Sequence, residues 1–302
     1  MINIRELSKN YGEKQVLKDI NLDVNDGEIF AILGHNGAGK TTLIKCIMNL
    51  VEYKGKITYA FPKEDLFKNI SLQMQSSVYE EGARVYEICN LYKKLLKSDV
   101  DLDELLDEFG LLSFKKSNIN SLSGGEKQKL SILLTLINKP KVIIFDEITT
   151  GLDIVARRKV WSQIKKVNQE YGTNIILTSH FLDEVEYLAD QVVILENGQV
   201  SLTGGVKDIV KQTYGNKKNI SFKIPSVVPN LENDSFNLDF GNVVKNGDRY
   251  NVEYDTEDEI KVLEEVKRNN AIDIYIKDYS FEDAFLKNLG YVINEKGEIT
   301  HE

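Results

Sequence analysis

Short runs of apolar and polar residues alternate along the first part of the chain. Ile2–Leu7 and Val16–Val24 follow the two-residue period of a half-buried strand, and Asp26-Gly27 reads as a tight turn after them. Glu28–Leu33 is a nearly continuous apolar run, the pattern of a strand covered on both faces. It leads through a glycine-rich segment into a helix predicted over Thr41–Leu50. From about 78 to 138 the period becomes helical: Val85–Leu96 and Leu102–Phe109 read as helices, Asp99–Asp103 as a connection and Gly110 as a helix stop. Lys141–Phe145 suits a buried parallel strand, Leu152–Glu170 a long amphipathic helix, and Ile175–Thr178 and Val192–Leu195 two more strands. Asn197-Gly198 is a hairpin turn signal.

This alternation predicts an α/β fold, a mostly parallel sheet with helices on both faces and the stretch at about 78–138 inserted as a helical subdomain. After Tyr214-Gly215 the character changes. Strands over Ile220–Ile224, Tyr250–Tyr254 and Ile272–Ile276, with helices over Glu257–Lys267 and near Phe281–Leu289, predict a small α/β accessory domain. The expected division is therefore 1–214 and 215–302.

Composition adds exclusions. The 302 residues suffice for two domains, and 42% apolar with 28% charged is an ordinary globular balance. No apolar run is long enough to span a membrane, and Met1–Glu6 lacks the apolar centre of a signal peptide. The net charge of −9 is concentrated late: residues 215–302 hold 11 Lys and Arg against 18 Asp and Glu. That acidity predicts a solvated face and argues against a nucleic-acid partner. Cys46 and Cys89 are too few for a disulfide frame or zinc site and read as buried, reduced thiols.

The chemistry lies in two patterns. Gly34-His35-Asn36-Gly37-Ala38-Gly39-Lys40-Thr41 fits G-x-x-x-x-G-K-[ST], lying between an apolar strand and a helix. Glycines let successive backbone N–H groups wrap a polyphosphate. Asn36, Gly37, Ala38, Gly39, Lys40, Thr41 and Thr42 are the expected nucleotide contacts, with Lys40 on the β- and γ-phosphates and the Thr41 hydroxyl on Mg²⁺. Val142-Ile143-Ile144-Phe145-Asp146-Glu147 ends a buried strand in two carboxylates. The first suits Mg²⁺ through its waters, the second an attacking water. His35 occupies a variable position of the loop, His301 lies at the tail, and Trp161 reads as packing.

A third motif, Leu122-Ser123-Gly124-Gly125-Glu126-Lys127-Gln128, lies between these two, and with it the chain resembles the ATP-binding subunits of ABC transporters. The motifs occur in family order, with 83 positions from Lys40 to Ser123, 23 from Ser123 to Asp146 and 33 from Glu147 to His180. The resemblance implies a P-loop NTPase core with a mostly parallel sheet, an antiparallel β subdomain and the helical insertion. It also implies that Tyr11 stacks on adenine and that Gln75, with Gln73 as its near rival, senses Mg²⁺ and the γ-phosphate. Thr150-Gly151-Leu152-Asp153 would join the two sites, and His180 would contact the γ-phosphate. Ser123, Gly124 and Gly125 would cap ATP held by an opposite subunit. A helix start presents N–H groups and a positive dipole end, and one set of phosphates is already wrapped by the loop, so a facing second copy or homologous ATPase is the expected arrangement. The chain departs from the family at Ile148, where Pro is usual, and in the lysines of Glu126-Lys127-Gln128-Lys129.

The resemblance further implies ATP and Mg²⁺ as ligands, ATP hydrolysis as the activity, and a separate transmembrane permease that holds this chain at the cytoplasmic membrane face. An interval of 83 residues leaves no room for the coiled coil of chromosome-type relatives, and ribosome-type relatives carry two cassettes with a basic linker. A soluble single-cassette ATPase, such as one in iron–sulfur assembly, is the alternative. Tyr279-Ser280-Phe281-Glu282-Asp283-Ala284-Phe285-Leu286 resembles the ending of ABC-2-type exporter ATPases, implying export of a peptide, antibiotic or ion.

Overall fold

The computed structural model describes residues 1–74, 82–225, 241–288, 291–293 and 299–301. The chain divides into two compact units, Met1–Gly205 and Val206–Glu302.

In the first unit, β1 (Ile2–Tyr11) and β2 (Lys14–Val24) are followed by β3 (Ile29–Leu33), α1 (Lys40–Ile47) and β4 (Lys54–Tyr59). Strands β2, β1 and β4 make a three-stranded antiparallel sheet in that order. Its register sets Ile2 opposite Val24, Ile4 opposite Leu22 and Leu7 opposite Ile20, so the alternating apolar residues form one buried face. After the turn α2 (Leu66–Asn69) comes β5 (Ile70–Gln73), then α3 (Val85–Leu95), α4 (Leu102–Glu108) and α5 (Gly124–Leu136). The chain continues through β6 (Val142–Asp146), α6 (Ile154–Tyr171), β7 (Asn174–Ser179), α7 (Leu182–Leu188), β8 (Gln191–Glu196) and β9 (Gln199–Gly205).

These strands build the principal sheet in the order β5-β6-β7-β3-β8-β9. Every pair is parallel except β8 with β9, which the Asn197-Gly198 turn joins as a hairpin. All residues of β3, β6 and β7 are buried, as continuous apolar strands require when both faces are covered. Leu43, Ile44, Cys46 and Ile47 of α1 share one core with both sheets. Burial pushes the Cys46 thiol up to about 11 and that of Cys89 up to about 12, so both are unreactive.

Register then fixes the site. Leu33 pairs with Ser179, and Asp146 pairs with Thr178. Central β7 therefore carries the end of β3 on one side and the end of β6 on the other. The glycine loop, the two carboxylates and His180 all leave the sheet at the carboxyl ends of adjacent parallel strands, where open α/β sheets bind ligands.

The second unit holds α8 (Val206–Tyr214), β10 (Lys217–Lys223), β11 (Asn242–Asn246), β12 (Arg249–Asp255), α9 (Glu259–Arg268), β13 (Ile272–Asp278) and α10 (Phe281–Asn288). Its antiparallel sheet runs β11-β12-β10-β13. Ile220, Phe222, Val252 and Tyr254 of the sheet pack with Val262 and Val266 of α9 into a separate core. The Ser280 backbone N–H donates to Asp283 Oδ2 at 2.8 Å and the Ser280 Oγ accepts the Asp283 N–H at 3.1 Å, a capping box that opens α10.

Candidate active site

The glycine loop is shaped by close approach. A Cβ on Gly34 would lie 2.5 Å from the Leu195 carbonyl oxygen and 2.9 Å from the Ala38 Cβ, so no larger residue fits. Gly39 caps α1 at φ 113°, and a Cβ there would meet Leu17 Cδ2 at 2.8 Å. No side chain caps α1 and its first turn holds no acid, which leaves the helix N-terminus suited to an anion.

Lys40 is buried, and its Nζ donates to the Gly34 carbonyl at 2.7 Å and to that of His35 at 3.4 Å. The same Nζ stands 3.6 Å from Glu147 Oε1. Beside it, the Thr41 hydroxyl donates to Asp146 Oδ2 at 3.2 Å and the Thr178 hydroxyl donates to Oδ1 at 2.6 Å. Thr178 Oγ1 also accepts the Glu147 N–H at 3.0 Å. One hydroxyl thus fixes the orientation of Asp146 and the backbone of Glu147 together. Glu147 itself sits at φ 50°, the left-handed region that costs a side-chain-bearing residue about 1–2 kcal/mol. His180 Nδ1 lies 3.8 Å from Glu147 Oε2, and the His180 ring packs on Phe181 with centroids 4.1 Å apart. A cation, two carboxylates, a hydroxyl and an imidazole therefore share one opening at an uncapped helix start.

Ser123 caps α5. Its backbone N–H donates to Glu126 Oε2 at 2.8 Å, and its Oγ accepts the Glu126 N–H at 3.3 Å, closing a capping box. Cβ atoms on Gly124 and Gly125 would lie 3.6 Å from Leu152 Cδ2 and Ala156 Cβ, ordinary contact distances. Among the described residues, packing does not demand glycine at exposed Gly124 or half-buried Gly125 as it does at Gly34.

Residues 17–150 match the family model described as ABC transporter. Methionine import ATP-binding protein MetN of Clostridioides difficile is 34% identical over 236 residues, covering 72% of this chain and 73% of that one. The chain belongs to the ABC transporter ATP-binding subunits. MetN of Campylobacter jejuni is 32% identical over 241 residues, covering 69% of this chain and 72% of its own. A solved structure of an ATP-binding subunit of an ABC transporter is similar at TM-score 0.62 and 30% identity, covering 70% of this chain and 92% of that one. A dimeric ATP-binding cassette solved in a post-hydrolysis state bound to ADP and Pi shares the fold at TM-score 0.57 and 23% identity, covering 68% of this chain and 98% of that one. The cassette is accordingly an ATPase, the nucleotide-binding part of a transporter that works with a separate membrane component. No helix among the described residues is long and apolar enough to cross a membrane.

Of the expected site residues, the cassette brings Lys40, Thr41, Asp146, Glu147 and His180 together. Asn36 and Gly37 are exposed at the loop tip, Ala38 is buried beneath it and Thr42 is half-buried in α1. Tyr11 ends β1, exposed, with Lys9 Nζ 4.7 Å from its ring centroid. Gln75 lies outside the described residues.

Sequence reasoning missed Thr178 and Glu184. Thr178 is visible only as a hydroxyl ending an apolar run. Glu184 sits four positions past His180 in what reads as an ordinary helix, yet it is 2% exposed. Burial raises its carboxyl above the usual range, against hydrogen bonds from Ser179, Thr149 and Trp161 that lower it. Trp161, expected only to pack, is fully buried and donates its indole N–H to Glu184 Oε1 at 2.7 Å.

Proposed function

We propose that Glu147 polarises the attacking water, that Lys40 and the glycine loop hold the ATP phosphates, and that His180 contacts the γ-phosphate. The convergence of Lys40, Thr41, Asp146, Glu147 and His180 at the ends of three adjacent strands carries this reading. Hard Mg²⁺ prefers oxygen ligands, and Thr41 and Asp146 form an all-oxygen donor pair that fits it. Thr41 would hold the ion directly and Asp146 through water, and the ion would supply charge neutralisation between the phosphates. Lys40, which bonds backbone carbonyls and stands near Glu147, would exchange these contacts for phosphate oxygens. Tyr11 is the proposed adenine platform.

Ser123, Gly124 and Gly125 then serve the ATP of a second copy or homologous cassette, so that two subunits complete two sites. The peripheral location at the membrane follows from docking on the permease. A division of labour between 1–214 and 215–302, with an inserted helical subdomain at about 78–138, is proposed, although the compact units divide at Gly205. Glu147→Gln tests the chemistry: turnover should cease while ATP-bound dimers accumulate, and undiminished hydrolysis would overturn the assignment. Mixing Lys40→Ala with Ser123→Arg chains tests sharing. A heterodimer regains one intact site, and dimers with no recovered activity count against it.

For direction, the names of the methionine import relatives favour uptake of a small nutrient. Export is the second reading and rests on Tyr279–Leu286. The Ser280–Asp283 capping box and the buried Phe281 and Ala284 account for much of that motif as a helix start. Vesicles containing this cassette and the membrane protein that co-purifies with it separate the two: ATP-driven accumulation of labelled methionine supports uptake, and its absence with expulsion of a peptide or antibiotic supports export.

A further inference from the structure

Glu184 is buried, and its hydrogen-bond partners lie in the segments that follow Glu147 and precede His180, not in the glycine loop. Its Oε1 accepts from the Thr149 hydroxyl at 2.8 Å and from the Trp161 indole at 2.7 Å, and Oε2 accepts from the Ser179 hydroxyl. These three donors come from three segments. Ser179 ends β7 directly before His180, and its Oγ also accepts the Phe181 N–H at 2.9 Å. Thr149 lies two residues after Glu147, in a loop closed by Thr150 N–H to the Glu147 carbonyl at 3.2 Å and Leu152 N–H to the Thr149 carbonyl at 3.2 Å. Trp161 lies on α6, the helix that begins after Thr150–Asp153.

A buried carboxylate is a costly way to join core elements, since well-packed apolar residues do so at least as well. What it adds is direction: each bond defines the relative placement of two segments. The left-handed backbone of Glu147 persists only where its surroundings over-determine it, and Thr149, two residues on, ties its loop to Glu184. The guanidinium of Arg157, 4.7 Å from the Phe181 ring centroid and bonded to Asp183 at 3.2 Å, closes the same cluster over the residue next to His180.

We propose that Glu184 is a positioning residue for ATP hydrolysis, holding the strand end that carries His180 and the loop that leaves Glu147 as one rigid unit. The inference rests on the roles proposed above for Glu147 and His180. The site then moves, or holds, as a piece; cutting either arm of the carboxylate misplaces one partner relative to the other.

The experiment is steady-state ATPase kinetics on the full chain with Thr149→Val, Ser179→Ala, the two combined, and Glu184→Gln, each assayed well below its own melting temperature. Each single change should lower kcat about threefold to tenfold and leave KM for ATP within about twofold, the split expected when geometry and not binding is lost. The double variant should lose no more than about the larger single loss, because both arms act through one carboxylate. Glu184→Gln keeps an acceptor for Thr149 and Trp161 and should stay within about threefold. Unchanged kcat in both single variants, or losses that multiply in the double, overturns the proposal. Glu147→Gln assayed in parallel separates the two levels: turnover retained there overturns the catalytic reading, whereas turnover abolished there but intact in the arm variants overturns only the coupling.

Discussion

Replacing Thr178 by Val tests how much of the site is held by one hydroxyl. The two side chains have nearly the same shape, so no cavity forms, and only the hydrogen bonds change. Thr178 is 1% exposed and donates at 2.6 Å to a carboxylate. Removing a hydrogen bond to a charged group costs about 1.5–3 kcal/mol. The Glu147 N–H loses Oγ1 but keeps the Thr178 carbonyl at 3.3 Å, so its added loss is about 1 kcal/mol or less. The total, about 2–4 kcal/mol, is a large part of a typical domain stability of about 5–15 kcal/mol. Urea unfolding followed by tryptophan emission reads it, because Trp161 is the one tryptophan in the chain and lies fully buried in the first unit. With a urea slope of about 2 kcal/mol/M, the midpoint should fall by about 1–2 M. Thr178→Ser keeps the hydroxyl and should lose less than half as much. A valine variant within about 0.5 kcal/mol of the parent, or a serine variant that falls as far, would refute the reasoning.

Gly34→Ala forces a Cβ against the Leu195 carbonyl and should cost about 1–3 kcal/mol in denaturant titration, with weaker ATP binding by equilibrium dialysis. Ser123→Ala removes the cap of α5 and should lower stability by about 1 kcal/mol, while ATP affinity of the isolated monomer stays unchanged in the same dialysis. Asp283 carries a pH signature. Burial pushes its carboxyl up, but bonds from Ser280 and Lys277 outweigh it and hold it below the ordinary 3.8. A depressed folded value stabilises above 3.8 and loses that contribution as pH falls through the folded value. Asp283→Asn should therefore melt below the parent at pH 7, with the gap closing under acid; a gap that widens in acid would contradict the sign.

Much of this was legible because two sequence signals are strong. A short, β-branched-rich apolar run such as Val142–Phe145, bounded by Pro140 and two acids, suits a buried strand, and the glycine loop suits a polyphosphate. The phosphate loop, both carboxylates and the strands that carry them could be placed from those, whereas the order β5-β6-β7-β3-β8-β9 came only from the structure. β4 was not legible: Lys54-Gly55-Lys56 opens it and Ile57 is its one buried residue. β5 has four residues, too few for a period. Helix α6 starts at Ile154 because Asp153 accepts the Ala156 N–H at 2.9 Å, a cap that apolar spacing does not register. Glu184 was invisible for a different reason. Its helix spacing looks solvated, and only the tertiary placement of Thr149, Trp161 and Ser179 makes burial of its charge tolerable.

The left-handed backbone at Glu147 has an evolutionary reading. Glycine adopts φ near 50° without penalty, and asparagine nearly so, whereas glutamate there gives up about 1–2 kcal/mol of stability. The fold alone would choose another residue, and on the role proposed for Glu147 it is turnover that keeps this one. If Glu147 has the proposed role, a gene copy released from selection for hydrolysis should drift toward Gly or Asn at 147 and gain thermal stability as it does, and the identity of this residue would then sort working engines from retired ones.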